Sequence, residues 1–536
     1  MMRRIARTLG VAAMFLVASA HVGSPDTWFE GSAGPYRVTV QIEPAGVIPG
    51  VANVYVRVHG DPVTGVTVMG NKFDATGGAP PPEAAEAVAG DAGLYLGKLW
   101  IMSGGSNSVT VNVQGARGSG TAVIPVVAVA YSRLRLDKPM AVGLSAMGLF
   151  LFAGLVTIIG AAVREGVLPP GERPTPKRLR RARIAMAVTS LMLVALLAGG
   201  WTWWQSEDAG YVARMYKPLS AKASIANGPA GAVLNLAIVD SPWVHRNDSA
   251  WLNSRDASSW TPLVEDHGKL MHLFMIRDDM AAFAHLHPST VDSVTFPSPL
   301  PPLPAGKYKV FADIVHESGF THTMVTSVEI GADAAAVPTA TGNGQPVTGS
   351  GQRVTGDRQR VPVTGRLSVD DSWFAGPVAK GTPTYSLGGG ATMTWAKGDA
   401  PIVADRPASL RFEIRNADGS PAILEPYMGM PGHAVVARND GAVFVHLHPA
   451  GTISMASQMA FAMRQPGDSI RGRLGKRISE MELSGMSRAT VDSNIITFPY
   501  AFPKAGDYRV WVQVKRGGQV MTGAFDATVT EGEEGS

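Results

Sequence analysis

Apolar positions along this chain fall into three patterns, and their order sketches an architecture. Residues 139–163 (PMAVGLSAMGLFLFAGLVTIIGAAV) and 184–204 (IAMAVTSLMLVALLAGGWTWW) are apolar runs without a charge. Each is long enough to cross the roughly 30 Å hydrocarbon layer of a bilayer as a helix. A shorter run at residues 9–17 follows Arg3, Arg4 and Arg7 and precedes Ala18-Ser19-Ala20. A basic start, an apolar middle and a small-residue end read as a signal peptide over residues 1–20. Elsewhere the pattern alternates with period two, as in residues 36–42 (YRVTVQI), 54–58 (VYVRV) and 108–113 (SVTVNV). Such alternation predicts strands with one buried face. No convincing amphipathic helix stands outside the membrane runs.

These patterns predict a mainly β protein of three immunoglobulin-like β-sandwich domains plus a two-helix transmembrane hairpin. The segments are an N-terminal extracytoplasmic sandwich at 21–138, a helix at 139–163, a basic cytoplasmic loop at 164–183 and a helix at 184–204. A sandwich module at 205–331 follows, then a linker at 332–365 and a second module at 366–532. The linker is rich in Gly, Thr, Pro and Gln with almost no large apolar residue, a composition that favours flexible chain.

The two C-terminal modules are repeats. MHLFMIRDDMAAFAHLHP at 271–288 aligns without a gap to GHAVVARNDGAVFVHLHP at 432–449. Both continue to Thr-Phe-Pro and then to a Pro/Gly turn and strand, PAGKYKVFADI at 304–314 and PKAGDYRVWVQV at 503–514. The shared motif is H-x12-H-x-H-P: His272, His285 and His287 in one copy, His433, His446 and His448 in the other. Asp278-Asp279 and Asn439-Asp440 are turn-forming pairs midway between the first two histidines. A two-residue hairpin loop there sets His272 opposite His285 and His433 opposite His446. A bulge at Gly441 would shift that pairing. The third histidine, two residues on, points to the same face. Three imidazoles then converge in each copy, close enough for bonds of about 2.0–2.1 Å to one ion.

Charge and composition narrow the functions. The chain has no Cys, which removes disulfides, iron–sulfur clusters, thiolate zinc sites and cysteine nucleophiles. The loop between the apolar runs holds Arg164, Arg173, Lys177, Arg178, Arg180, Arg181 and Arg183 against Glu165 and Glu172. The positive-inside rule puts this loop in the cytoplasm and both flanking regions on the outer side of an inner membrane. That concentration of basic residues explains much of the net charge of +4, which therefore says little about nucleic acid, and no nucleic-acid partner is expected. No strand–Gly-loop–helix unit and no nucleophile–base motif is present, so a non-enzymatic role is expected.

Imidazole ligands suit copper or zinc, and the Met-rich second module tilts the choice to copper. Met428 and Met430 flank the approach to His433, although buried Met also fills core gaps. His316 and His322 are further candidate ligands in the first module, which also carries His267. Cleavage after Ala20 would leave His21 with both an α-amino group and an imidazole, half of a histidine-brace copper site with His59.

The HLHP segments with their downstream strands resemble YtkA-like and related immunoglobulin-type domains of exported bacterial proteins. The resemblance covers 209–331 and 366–532, and the architecture is loosely similar to CopC-type copper carriers, without their ligand pattern. It implies a β-sandwich fold and an association with copper or heavy-metal handling. The expected function is a membrane-anchored extracytoplasmic copper-binding protein for ion capture, buffering or delivery, with a metal transporter or envelope protein as partner. The alternatives are a structural or interaction protein with structural histidine clusters, and a copper enzyme using His21.

Overall fold

A computed structural model describes residues 26–532, apart from 61, 74–79, 135, 170, 229–230, 246–260, 291, 335–341, 345–366, 378–380, 399, 466–471 and 487–488. The segment read as a signal peptide, His21 and most of the segment read as linker therefore lie outside the described residues. The protein is mainly β, with three sandwiches of two sheets each and two long apolar helices.

In the N-terminal sandwich, one sheet runs Thr27–Ala33, Tyr36–Glu43, Gly50–His59, Leu94–Ile101 and Glu86–Ala87. The other runs Glu83–Ala84, Val63–Lys72, Gly105–Gly115 and Gly118–Ala128. The alternating pattern acts directly here: Tyr36, Val38, Val40 and Ile42 are buried while Arg37 points out. Trp28 and Tyr36 are buried, and Phe29 packs on the same core.

The first C-terminal module pairs a sheet of Ala221–Gly228, Gly231–Ile238 and Thr295–Pro299 with a larger one. The larger sheet holds Leu263–Val264, Thr321–Ile330, Gly306–His316, His272–Arg277 and Ala282–Leu286. Ser372–Ala375, which the sequence places in the second module, extends this sheet beside Ala282–Leu286. Gly342–Gly344, from the segment read as linker, pairs next to it. The second module repeats the plan, with Thr384–Ser386, Thr392–Trp395, Pro407–Arg415 and Ile495–Ala501 in one sheet. Its other sheet is Ile402–Val403, Gln519–Thr530, Gly506–Arg516, His433–Arg438 and Phe444–Leu447. A corner repeats too: Tyr308 Oη donates to Pro304 O and Tyr508 Oη to Lys504 O, both at 2.7 Å.

The two HLHP sheets face each other. His272–Arg277 and His433–Arg438 are buried on both faces, unlike a strand with a solvated side. Leu273 and Met275 enter the first module's own core, while Phe274 and Ile276 join Val435, Ala437, Phe444 and Trp511 in a core between modules. The contacts are reciprocal. Phe311 stacks on Phe444 at 4.0 Å, and the counterpart pair Phe283 and Trp511 stacks at 4.9 Å. Lys309 Nζ donates to Asp440 O in the second hairpin loop, and Arg509 donates to Met280 O in the first. Reciprocity of this kind is the signature of two copies related by a local two-fold.

Two helices in the second module, Met455–Met463 and Arg473–Met486, correct the expectation of no helix outside the membrane runs. Their buried apolar stripe is short: Ala456 and Ala460 in one, Leu474 and Ile478 in the other. Distant side chains help define them, since Glu317 accepts the amides of Gly472 and Gly475 at 2.6 and 2.8 Å. The loop before the first helix docks on the N-terminal sandwich, with Glu30 N donating to Ala450 O at 2.8 Å and Thr452 N to Trp28 O at 3.0 Å. Gly451 in that loop has φ +118°, and a Cβ there would stand 2.0 Å from Trp28 O. Gly451→Ala is expected to speed amide exchange at Glu30 and Thr452 while leaving the histidine hairpins protected; unchanged exchange would contradict this docking.

The apolar helices are Lys138–Glu165 and Pro176–Arg214, both long and apolar enough to cross a membrane. The second continues beyond the apolar run at both ends, taking in the basic residues 177–183. Pro stands in the first turn of each helix, and Thr175 Oγ1 caps the second through Arg178 N. Gly160 of the first helix is buried against Met186 of the second, where the missing side chain leaves room for the thioether.

Candidate metal centre

The hairpins bring the histidines together by a register different from the one expected. Pairing runs Phe274 to His285 and Val435 to His446, two positions away from the expected His272–His285 and His433–His446 pairs. The cause is loop length. Each hairpin closes through four residues, with Met280 at φ 61° and Gly441 at φ 72°, where their amides return to Arg277 O and Arg438 O. A shift of two preserves the face of every side chain. His272, His285 and His287 therefore still share one face, and their ring centroids lie 4.5–5.4 Å apart. His433, His446 and His448 repeat this arrangement at 4.5–5.4 Å.

Because that face is the module interface, the two sets merge. His446 lies 5.2 Å from His272 and 5.6 Å from His285, ring to ring. A seventh histidine, His267, enters from the first module and approaches His448 at 5.1 Å and His433 at 5.5 Å. It sits in a tight turn, Asp266–Lys269, with reciprocal backbone hydrogen bonds and positive φ at His267 (55°) and Gly268 (73°). Tyr427–Met430 is the same turn in the second module, with Met428 at φ 50° where the first has His267. Positive φ at both central residues is the type I′ geometry, which Gly favours and His tolerates. Two trios offer ligand atoms all within 4.8 Å of one another: His272, His285 and His287, and His267, His433 and His448.

Second partners orient the rings. His272 Nε2 donates to Asp266 O at 3.1 Å, and His448 Nδ1 to Ile453 O at 3.1 Å. His287 Nδ1 meets Asp371 Oδ1 at 2.8 Å; the same carboxylate accepts the amides of His287 and Ser368. His285 Nδ1 meets Gln513 Oε1 at 2.8 Å, and Gln513 Nε2 donates to Ser372 Oγ. His446 Nδ1 is 3.6 Å from Asp313 Oδ2. Asp313 and Gln513 are equivalent strand positions, opposite His272 and His433 respectively. Gln513 therefore accepts from His285 and Asp313 stands beside His446, a crosswise arrangement that neither copy holds alone.

This orientation leaves lone pairs pointing inward. His272 Nδ1 and His285 Nε2 stand 3.1 Å apart, and the donations described above make both of them acceptors. Two neutral rings so oriented aim both lone pairs at one point. Bonds of about 2.0–2.1 Å at a tetrahedral angle give a nitrogen–nitrogen distance of about 3.3 Å. Nε2 of His287, His446 and His448 and both nitrogens of His433 have no hydrogen-bond partner among the described residues. Burial pulls His267, His272 and His448 down to about 4. It holds His285, His287, His433 and His446 well below their usual range, and neighbouring imidazoles push the same way. Burial moves Asp313 and Asp371 up to about 7. The rings are thus neutral at pH 7, the form that binds metal.

Other candidates lie elsewhere. His316 and His322 face each other at 5.1 Å beside Trp243 and Phe320, in neither trio. Met428 and Met430 are buried, Met428 against Tyr427 and Val520. His59 meets Thr39 Oγ1 at 2.8 Å on the N-terminal sheet. His267 was visible as an extra histidine, and its alignment with Met428 at a D-H-G-K turn was the available signal. Asp313, Asp371 and Gln513 gave none, because each acts on a histidine distant in sequence.

Fold and site define a duplicated β-sandwich protein with a buried polyhistidine centre between its repeats. A family profile described as "Domain of unknown function (DUF8832)" matches residues 242–332 and 386–531, a stretch that includes both hairpins. No curated protein matches the chain. Among solved structures, it is similar to an engineered protein at 25% identity, covering 17% of this chain and 20% of that one with a TM-score of 0.14. It is also similar to alpha-2-macroglobulin of E. coli (8% identity, 94% and 23% covered, TM-score 0.20). The four N-terminal immunoglobulin domains of Dscam1 isoform 6.44 align at 8% identity, 95% and 99% covered, with a TM-score of 0.15. The chain spans 20–23% of the length of the first structures it matches. Overlaps this loose carry no functional argument.

Proposed function

We propose that this is a membrane-anchored metal-binding protein, facing the outer side of the inner membrane, that captures copper ions for buffering or delivery. The observation that carries the reading is the set of inward, unpartnered imidazole nitrogens. A buried polar group left without a partner costs about 1–3 kcal/mol. Repeating that cost across several histidines in one pocket favours an ion that satisfies them together. The same cost weighs against a purely structural cluster. The ligands are neutral, which suits copper or zinc. The basic residues between the two apolar runs favour an outer location for the modules. A transporter or other envelope protein is the natural recipient for a delivered ion.

The test is titration of the full chain in detergent with Cu(I), Cu(II) and Zn(II), repeated with His285→Ala/His287→Ala and His446→Ala/His448→Ala. Tight binding that both double variants weaken by orders of magnitude is expected; absence of histidine-dependent binding for every metal would sink the reading. Asp371→Asn keeps the shape but weakens the acceptor behind His287, and a 10- to 100-fold loss of affinity is expected. Affinity unchanged in that variant would remove Asp371 from the site's support.

A further inference from the structure

Seven imidazoles meet in this pocket, more than one ion can use. A tetrahedral ion takes four ligands, so a single ion would strand three buried rings. Ring distances divide the set. Within the trio His272, His285 and His287 centroids lie 4.5–5.4 Å apart, and within His267, His433 and His448 they lie 5.1–5.5 Å apart. Between the trios, His267 to His272 and His285 to His433 are longer, at 6.2 and 6.3 Å. His446 neighbours both.

The second trio is also of mixed origin. His267 belongs to the first module, whereas His433 and His448 belong to the second. The turn that presents His267 is gripped by the second module's helices: Gly268 N donates to Glu482 Oε2 at 3.3 Å, and Asp266 Oδ1 accepts Ala456 N at 2.9 Å. Met428 stands at the position equivalent to His267, so the second module presents no imidazole there.

We propose that the interface holds two metal ions, one on His272, His285 and His287 and one on His267, His433 and His448, the second ion clamping the two modules together. This rests on the metal-binding reading above and adds a stoichiometry and a division of ligands that the reading alone does not require. The centre is then a pair of adjacent sites, and only the first is complete within one module.

The experiment is native mass spectrometry of the tag-free full chain in detergent, loaded with Zn(II) and separately with Cu(I). Two ions per chain are expected for the natural sequence, and one each for His272→Gln, His267→Gln and His448→Gln. His316→Gln/His322→Gln should retain two. X-ray absorption of the loaded natural chain should find at least three imidazoles on each ion, an outcome independent of how well any variant folds. One ion per chain, lost in both His272→Gln and His448→Gln, overturns the two-site proposal and leaves the metal reading standing. Two ions retained in a folded His267→Gln overturn the clamp, and an ion lost from His316→Gln/His322→Gln reassigns that site. No ion in the natural chain defeats the metal reading itself.

Discussion

Trp511→Ala is expected to destabilise the paired modules by about 3–5 kcal/mol, the range for deleting a large buried aromatic. Trp511 is fully buried and stacks on Phe283 at 4.9 Å with a 13° interplanar angle. It lies in the core between modules, so the loss falls on the surface that assembles the histidines. Metal affinity should fall with stability, although no ligand is touched. Trp511→Phe retains most of the stacking and removes an indole N–H with no hydrogen-bond partner among the described residues, so its cost should be far smaller. Equilibrium unfolding with ion titration of the same variants reads both effects. A loss under about 1 kcal/mol for Trp511→Ala would mean that the modules do not close on one another as described.

Acidification of the metal-free protein should have the second large effect. An unfolded histidine titrates near 6.5, whereas burial holds His267, His272 and His448 at about 4. Between these values the unfolded chain binds protons that the folded chain refuses, so stability falls as pH drops. It is fully present above about 6.5 and lost toward about 4, amounting to about 3 kcal/mol for one such histidine. Asp313 and Asp371, raised to about 7 by burial, act in the opposite sense and stabilise the folded state as they protonate. Glu482, also raised by burial, adds to them. Seven imidazoles outnumber these carboxyls, so the net direction is loss. Chelator-treated protein unfolded at pH 7.5, 6.5 and 5.5 should lose stability mainly across the last step, and bound metal should raise stability at each pH without removing that loss, because the protons are taken up by the unfolded chain. Equal stability at all three values would contradict neutral burial of the cluster.

The histidine faces were legible because side-chain direction depends only on parity along a strand. The register was not, because loop length rests on whether Met280 and Gly441 adopt positive φ, and Met rarely announces that. Alternation identified the strands, but it reads a residue as buried on one face only. Phe274 and Val435 alternate with core residues and so pass for solvent-facing, yet both are covered by the other module. The helix Arg473–Met486 escaped for a related reason: Leu474 and Ile478 are too few to show a period, and Glu317, a partner far away in the chain, accepts amides at its start.

By itself, the sequence determined the duplication, the strand-rich fold, the two apolar helices and the convergence of three histidines in each repeat. All of these follow from local periodicity and spacing. Only the tertiary structure decided that the two sets form one buried centre, that His267 joins the second module's histidines, and that Asp313 and Gln513 act across the interface. The physical reason is that burial of an HLHP face comes from another copy of the same face, and no spacing within a strand records what covers it.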